Sequence, residues 1–204
     1  MNRRKLTTAI CLAAVLILGA IGLNWYITFK KPNTAGEGVI LIYRNSGYGA
    51  VEDSICASGT IKNLKSFRRA AGRRNLAEHF EPGRYVIEPG MSNQHIIRMI
   101  ANGWQTPAKV TLRGYIKTID RLAAFLGRNF EADSAAFATV LKDSAMIDSL
   151  GFRPETFIGM FIPNTYEFYW TSSPRSVVKR FKKECDAFWN GERDRLAREI
   201  GLDR

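Results

Sequence analysis

The hydrophobic pattern of this chain changes period along its length, and each change predicts a different element. From Ala9 to Phe29 the sequence is almost unbroken apolar and holds no charged residue, with Arg3-Arg4-Lys5 before it and Lys30-Lys31 after it. At 1.5 Å rise per residue such a run reaches across a ~30 Å hydrocarbon core. The rival reading is a cleaved signal peptide ending near Gly19-Ala20. The run continues through Ile21 to Ile27, with Trp25 and Tyr26 at interfacial depth, which favours a retained transmembrane helix over 9–29. Residues 1–8 then form a cytoplasmic basic segment. The positive-inside rule places the N-terminus in the cytoplasm and everything after Lys31 outside it.

Residues 30–37 read as a polar linker, with Pro32, Asn33 and Gly36. Val39 to Tyr43 is β-rich and is ended by Asn45-Ser46-Gly47. Val51–Cys56 and Asn63–Ala71 have helical spacing. The second places Leu64, Phe67 and Ala71 on an apolar stripe and leaves Lys65, Arg68, Arg69 and Arg73 on a solvated face. Pro82-Gly83 turns into a strand at 84–87. Pro89-Gly90-Met91-Ser92 then leads into a helix over Asn93–Ala101, with Ser92 as N-cap and Gly103 as C-cap. His95 and His79 read as surface residues. The signals predict a compact α+β unit over 38–106.

A second unit is expected over 108–204. It opens with a strand at Val110–Leu112 and a turn at Arg113-Gly114, then a helix over Ile116–Leu126 with Ile119, Leu122, Ala123 and Leu126 on one face. Asp133 or Ser134 caps a helix to Leu141, which Asp143–Leu150 continues. In Phe157–Trp170, bulky apolar and aromatic residues flank Pro163-Asn164-Thr165, and Tyr166, Phe168 and Trp170 then alternate with Glu167 and Tyr169, so a strand, tight turn and strand are predicted. Ser172 or Ser173 caps a long helix that begins at Pro174 and runs to about Ile200, with Gly191 as a point of interruption. Gly201 ends it, and Leu202-Asp203 reads as the start of another.

Composition changes this picture in one respect. The 204 residues are 46% hydrophobic and 24% charged, as in an ordinary globular protein, but Lys and Arg total 30 against 19 acidic residues, a net charge of +11. Such a balance favours an anionic partner: lipid headgroups, cell-wall polymer or nucleic acid. The basic residues are spread over Arg68-Arg69, Arg73-Arg74, Lys179-Arg180 and Lys182-Lys183, and no nucleic-acid-binding signature occurs, so no nucleic-acid partner is expected. Cys11, Cys56 and Cys185 are odd in number and lack C-x-x-C spacing, which argues against a disulfide framework or a zinc site.

Gly159-x-Phe161-x-Pro163-Asn164-Thr165-Tyr166-x-Phe168 resembles the G-x-x-x-P-[DN]-T-Y signature of the YceG-like endolytic murein transglycosylases, the MltG family. Gly83-Arg84-Tyr85 through Pro89-Gly90-Met91-Ser92 and on to Gly103 resembles the family's LysM-like segment, extending the likeness well beyond one motif. The resemblance implies an α+β protein: a transmembrane helix, a LysM-like subdomain over 38–106, and the beginning of a YceG-like catalytic domain over 108–204. It implies cleavage of peptidoglycan glycan strands beside the inner membrane, leaving 1,6-anhydro-N-acetylmuramic ends, with no cofactor or metal. Cell-wall synthesis proteins are the partners it implies besides glycan and membrane.

Such an enzyme uses one glutamic acid, first as acid to the glycosidic oxygen and then as base to the C6 hydroxyl. The family carries it in a motif resembling A-S-[IL]-[IV]-E-x-E-[TA], which does not occur in residues 1–204, and Arg113-Gly114 stands where the family commonly has Glu-Gly. The expectation is therefore a chain that stops before its catalytic glutamate. Glu167 is the candidate inside the signature, with Glu155 just before it. Asn164, Thr165, Tyr166 and Glu167 are candidates to hydrogen-bond sugar, and Tyr169 or Trp170 to stack on a ring, or each serves only to cap and pack. A noncatalytic, membrane-tethered peptidoglycan-binding or scaffold protein is the alternative.

Overall fold

The computed structural model describes residues 3–114 and 116–201. Leu202-Asp203, read above as the start of a helix, and the side chains of Arg3, Arg4 and Lys5 lie outside the described residues. The chain is α+β and divides into two compact units, residues 1–106 and 107–204.

The first unit begins with helix α1 (Arg3–Trp25), which runs into a π-helical turn at Tyr26–Lys30. The stretch Ile10–Lys30 contains an 18-residue window of mean hydropathy 2.2, none of it buried, so it is long and apolar enough to span a membrane. The π turn swings Thr28 and Phe29 inward, where both are buried, and the Arg74 guanidinium lies 5.3 Å from the Phe29 ring centroid. The expected linker at 30–37 differs in the structure, because Asn33 and Thr34 are buried parts of this unit. Asn33 donates to the Asn93 side chain at 2.7 Å and to the Asn63 carbonyl at 3.0 Å, and it accepts from Asn63 N at 2.9 Å. Asn93 in turn donates to the Thr28 carbonyl at 2.8 Å. Buried amides so fully partnered tie the end of the helix to the unit behind it.

Strands β1 (Gly38–Ile42) and β2 (Gly83–Ile87) pair antiparallel, with Ile40 opposite Tyr85. Alternation turns Ile40, Ile42, Tyr85 and Ile87 inward. Helices α2 (Tyr48–Ala57), α3 (Leu64–Arg73) and α4 (Asn93–Ala101) close the core with Val51, Ile55, Phe67, Ala70, Ile96 and Ile100. Each such burial contributes about 1.5–3 kcal/mol for a large side chain. Asn63 caps α3 by accepting from Ser66 N at 2.8 Å, and Ser92 caps α4 by accepting from His95 N at 3.3 Å. The Tyr85 hydroxyl donates to the Glu81 carbonyl at 2.8 Å; burial, with a smaller push from the Glu81 charge, raises its pKa to about 12.

In the second unit, β3 (Ala108–Leu112) pairs antiparallel with β4 (Asn164–Phe168), Lys109 opposite Glu167 and Leu112 opposite Asn164. Helices α5 (Ile119–Gly127), α6 (Ser134–Leu141) and α7 (Ser144–Ser149) follow β3. Thr118 caps α5 by accepting from Arg121 N, so the helix starts three residues later than its periodicity predicts. Asp143 accepts from Ala145 N and Met146 N, and that cap makes α7 a separate helix rather than a continuation of α6. The predicted hairpin is also different. Phe157–Met160 is a 3-10 turn that buries Phe157 and Met160 on one side, and the strand begins only at Asn164, finding its partner in β3.

Helix α8 (Pro174–Phe188) is capped by Ser173 and buries Val177, Val178, Phe181 and Cys185. The long helix predicted to reach Ile200 breaks at Trp189, and Asn190 caps a new helix, α9 (Gly191–Glu199), by accepting from Arg193 N at 3.0 Å. An Asx cap outcompetes continuation where glycine follows.

Candidate functional site

The chemistry-bearing residues of the second unit fall on two different surfaces. The first is the open face of the β3–β4 ribbon. Thr165 and Thr111 share a hydroxyl hydrogen bond of 2.9 Å across the ladder, and Asn164 accepts from Thr165 N at 2.8 Å. Glu167 is exposed opposite Lys109 and, with Tyr169, borders a hollow of about 360 Å³ that also includes Ser172, Ser176 and Arg180. Asn164, Thr165 and Glu167 are therefore together and solvent-facing.

Tyr166 and Trp170 are on the other side of the same chain segment, 5% and 7% exposed. The Tyr166 hydroxyl donates to the Ile162 carbonyl at 2.5 Å, and its ring stands edge-on to Phe181 with centroids 4.9 Å apart. Burial, then the charges of Glu184 and Cys185, raise the Tyr166 pKa. Both residues, expected from sequence to face a ligand, are instead buried: Tyr166 packs the signature segment onto α8, and the Trp170 carbonyl accepts from Glu131 N at 3.0 Å. The pleat decides this, since Tyr166 and Phe168 share the inward face and Trp170 continues it.

The second surface is a groove in two lobes. One, of about 560 Å³, is bordered by Phe152, Thr156, Gly159, Lys182, Asp186 and Trp189. The other, of about 570 Å³, includes Arg113, Lys117, Gly159, Phe161, Pro163 and Trp189. Gly159 and Trp189 belong to both. A Cβ at Gly159 would meet no atom within 4 Å, so no steric rule of the fold demands glycine there, and the space beside it, which both lobes border, is open. Pro163 fixes its own backbone at the groove edge, just before the chain enters β4. The 3-10 turn thus carries the glycine, and the break after α8 carries the tryptophan.

The groove suits an amphipathic ring. Trp189 is half-buried and Phe188 is 39% exposed, offering apolar faces, and the Arg193 guanidinium stacks 4.4 Å from the Phe188 centroid. Thr156, Lys182 and Asp186 supply polar groups on one side, Arg113 and Lys117 cations on the other. Asp186 is the carboxylate of this lining and is ion-paired with Lys182 at 2.5 Å. Glu155 is exposed and borders neither lobe. Sequence reasoning missed Trp189 and the Lys182–Asp186 pair as site residues. The available signal was an aromatic at the end of an amphipathic helix, directly before Asn190-Gly191.

The sequence profile of the YceG-like family matches residues 40–203, four-fifths of the chain. The chain belongs to the YceG-like family. Among solved structures it is similar to the 2.6 Å crystal structure of a yceG-like protein from Listeria monocytogenes, at 20% identity and a TM-score of 0.38. That match covers 80% of this chain and 59% of the other. No curated protein matches.

Proposed function

We propose that this chain serves endolytic lytic cleavage of peptidoglycan beside the membrane, anchored by α1, and that the two-lobed groove holds the glycan strand. The observation that carries this reading is that family-signature residues Gly159, Phe161 and Pro163 border the groove together with Trp189. Each lobe is within the ~300–1,000 Å³ usual for small-molecule sites. Trp189 and Phe188 would stack on the C–H faces of successive sugars. Arg113 and Lys117 would meet the carboxylates of the peptide on muramic acid, or the lactyl carboxylate where that peptide has been trimmed.

These residues bind and orient; they do not supply the proton. A general acid in glycoside cleavage works from an enclosed setting. Glu167 is exposed on the ribbon, and Asp186 is engaged by Lys182. The acid that cleaves is a carboxyl brought against the groove from outside the residues that border it, and it contributes the ~10²–10⁴-fold typical of acid–base catalysis. On this reading the protein is a single-pass inner-membrane protein with Lys31 onward outside the cytoplasm.

Hydrogen exchange on the chain with purified, peptide-trimmed glycan strands tests the groove. Protection should concentrate at 157–163 and 186–190, and Gly159→Leu, whose Cβ enters the open space that both lobes border, should remove it. Protection confined to Thr165, Glu167 and Tyr169 would move the glycan to the ribbon. An alkaline phosphatase fused after Arg204 should be active; a fusion that is inactive while a cytoplasmic reporter is active would reverse the topology.

A further inference from the structure

The anchor and the basic helix α3 meet at one place. The N-terminal end of α3 and the segment leaving α1 enclose a small cavity of about 180 Å³ bordered by Ile27, Lys31, Lys62, Asn63 and Ser66. At the other end of α3, Arg74 lies over Phe29 of the π turn. A helix of this length spans about 15 Å, so the whole of α3 lies across the outlet of the anchor. Lys65, Arg69 and Arg73 recur on successive turns of its exposed side, beyond Lys62. Among the described residues none of these four, nor Lys31, is in an ion pair, whereas neighbouring Arg68 is turned away to Glu52 at 3.5 Å. Like charges four residues apart on a helix repel, and a bound anion relieves that cost.

We propose that this cavity and the cationic side of α3 form a binding site for the headgroup of an anionic phospholipid in the leaflet from which α1 emerges. The proposal rests on the reading of α1 as a membrane anchor. Trp25 and Tyr26, 45% and 52% exposed one turn earlier, are at interfacial depth, so Lys31 and Lys62 face the phosphate layer. Ile27 supplies an apolar wall toward the acyl chains. The Lys31 and Lys62 ammoniums and the Ser66 hydroxyl supply the charge and hydrogen-bonding groups that a phosphodiester takes. Lys65, Arg69 and Arg73 extend the attraction along the surface, each cation near an anionic bilayer being worth roughly five-fold in affinity. The buried Asn33–Asn93–Thr28 network holds cavity and anchor in one rigid piece, so a bound lipid fixes the rotation of the unit about the anchor axis.

The test reconstitutes the whole chain in vesicles of phosphatidylcholine mixed with phosphatidylglycerol, extracts it in mild detergent, and identifies the retained lipid by native mass spectrometry. The expected result is enrichment of phosphatidylglycerol over the bulk mixture on the order of tenfold, lost in the combined Lys62→Gln, Lys65→Gln and Arg69→Gln variant with its circular dichroism unchanged. Enrichment should also fall when wild-type chain is extracted in about 1 M salt, where the Debye length is ~3 Å, which gives an answer even if the variant misfolds. Retained lipid matching the bulk, or enrichment indifferent to both variant and salt, overturns the site. Failure of the anchor reads out separately, as release of wild-type chain from pure phosphatidylcholine vesicles by carbonate. In that event, sedimentation with phosphatidylglycerol vesicles at low salt supports the headgroup site and its absence overturns it.

Discussion

Replacing Phe181 by alanine should dismantle the second unit from its centre. Phe181 is 1% exposed and stands edge-on to Phe161 at 5.2 Å and to Tyr166 at 4.9 Å, with Phe168 tilted against it at 5.4 Å. Three of the residues in contact with it belong to the family signature, so one ring on α8 positions the 3-10 turn and β4 together. Phe-to-Ala truncation in a packed core costs about 3–5 kcal/mol, within which each favourable aromatic pair contributes about 0.5–1.5 kcal/mol. For a unit of this size that corresponds to a fall in Tm of at least about 12 °C. Against a total stability of about 5–15 kcal/mol, the alanine variant is near the limit of folding, so Phe181→Leu, at less than about 1.5 kcal/mol, is the graded companion. Hydrogen exchange of the β3 and β4 amides in detergent reads the loss where it should fall. A cost below about 1.5 kcal/mol for the alanine variant would refute the claim that Phe181 holds the signature in place.

Other substitutions probe separate features. Gly127→Ala would drive a Cβ against Ser134 N and to 2.7 Å from Ser134 Cα, all backbone, so α5 and α6 must separate at a cost of about 1–3 kcal/mol, measurable by thermal unfolding. Asn93→Ala leaves the Thr28 carbonyl and the Asn33 amide without their partner, costing about 1–3 kcal/mol and raising exchange at Tyr26–Lys31 ahead of the rest of the first unit; unchanged exchange there would contradict the network's role. Because the Tyr85 pKa is raised to about 12, the unfolded chain loses that proton from about pH 10 while the folded one keeps it. Stability is therefore full below pH 10 and declines by roughly 2–3 kcal/mol as pH rises to 12, and Tyr85→Phe should flatten that part of the profile.

The elements with strong local signals were legible in the sequence, and those decided by competition were not. Ser92 caps where its spacing says it should, Ser173 is the cap of the two serines offered, and the α3 stripe buries Phe67 and Ala71. The 157–163 segment misled because bulky residues at i, i+3 and i+4 and a proline read equally well as a strand or a tight turn of helix. What decided it was β3, a partner distant in sequence, which takes up only Asn164–Phe168. The candidate site suffered the same way. A motif string names Asn164 through Tyr166 together, but the pleat sends Tyr166 inward and Thr165 outward. Trp189 joins Gly159 only through tertiary packing, so no local pattern pairs them. The reading of 30–37 as a linker failed because polarity was taken for solvation, when Asn33 and Thr34 are polar in order to be hydrogen-bonded inside.

The central claim is that this groove serves lytic cleavage of peptidoglycan. It is tested by digesting purified sacculi with the protein, its Gly159→Leu variant and its Glu167→Gln variant, and identifying the new ends by mass. The account predicts 1,6-anhydro-muramyl ends from the protein, their loss in Gly159→Leu and their persistence in Glu167→Gln. Reducing muramic ends, or no cleavage by the protein, would contradict it. So would anhydro ends that vanish with Glu167→Gln, which would put the acid on the ribbon.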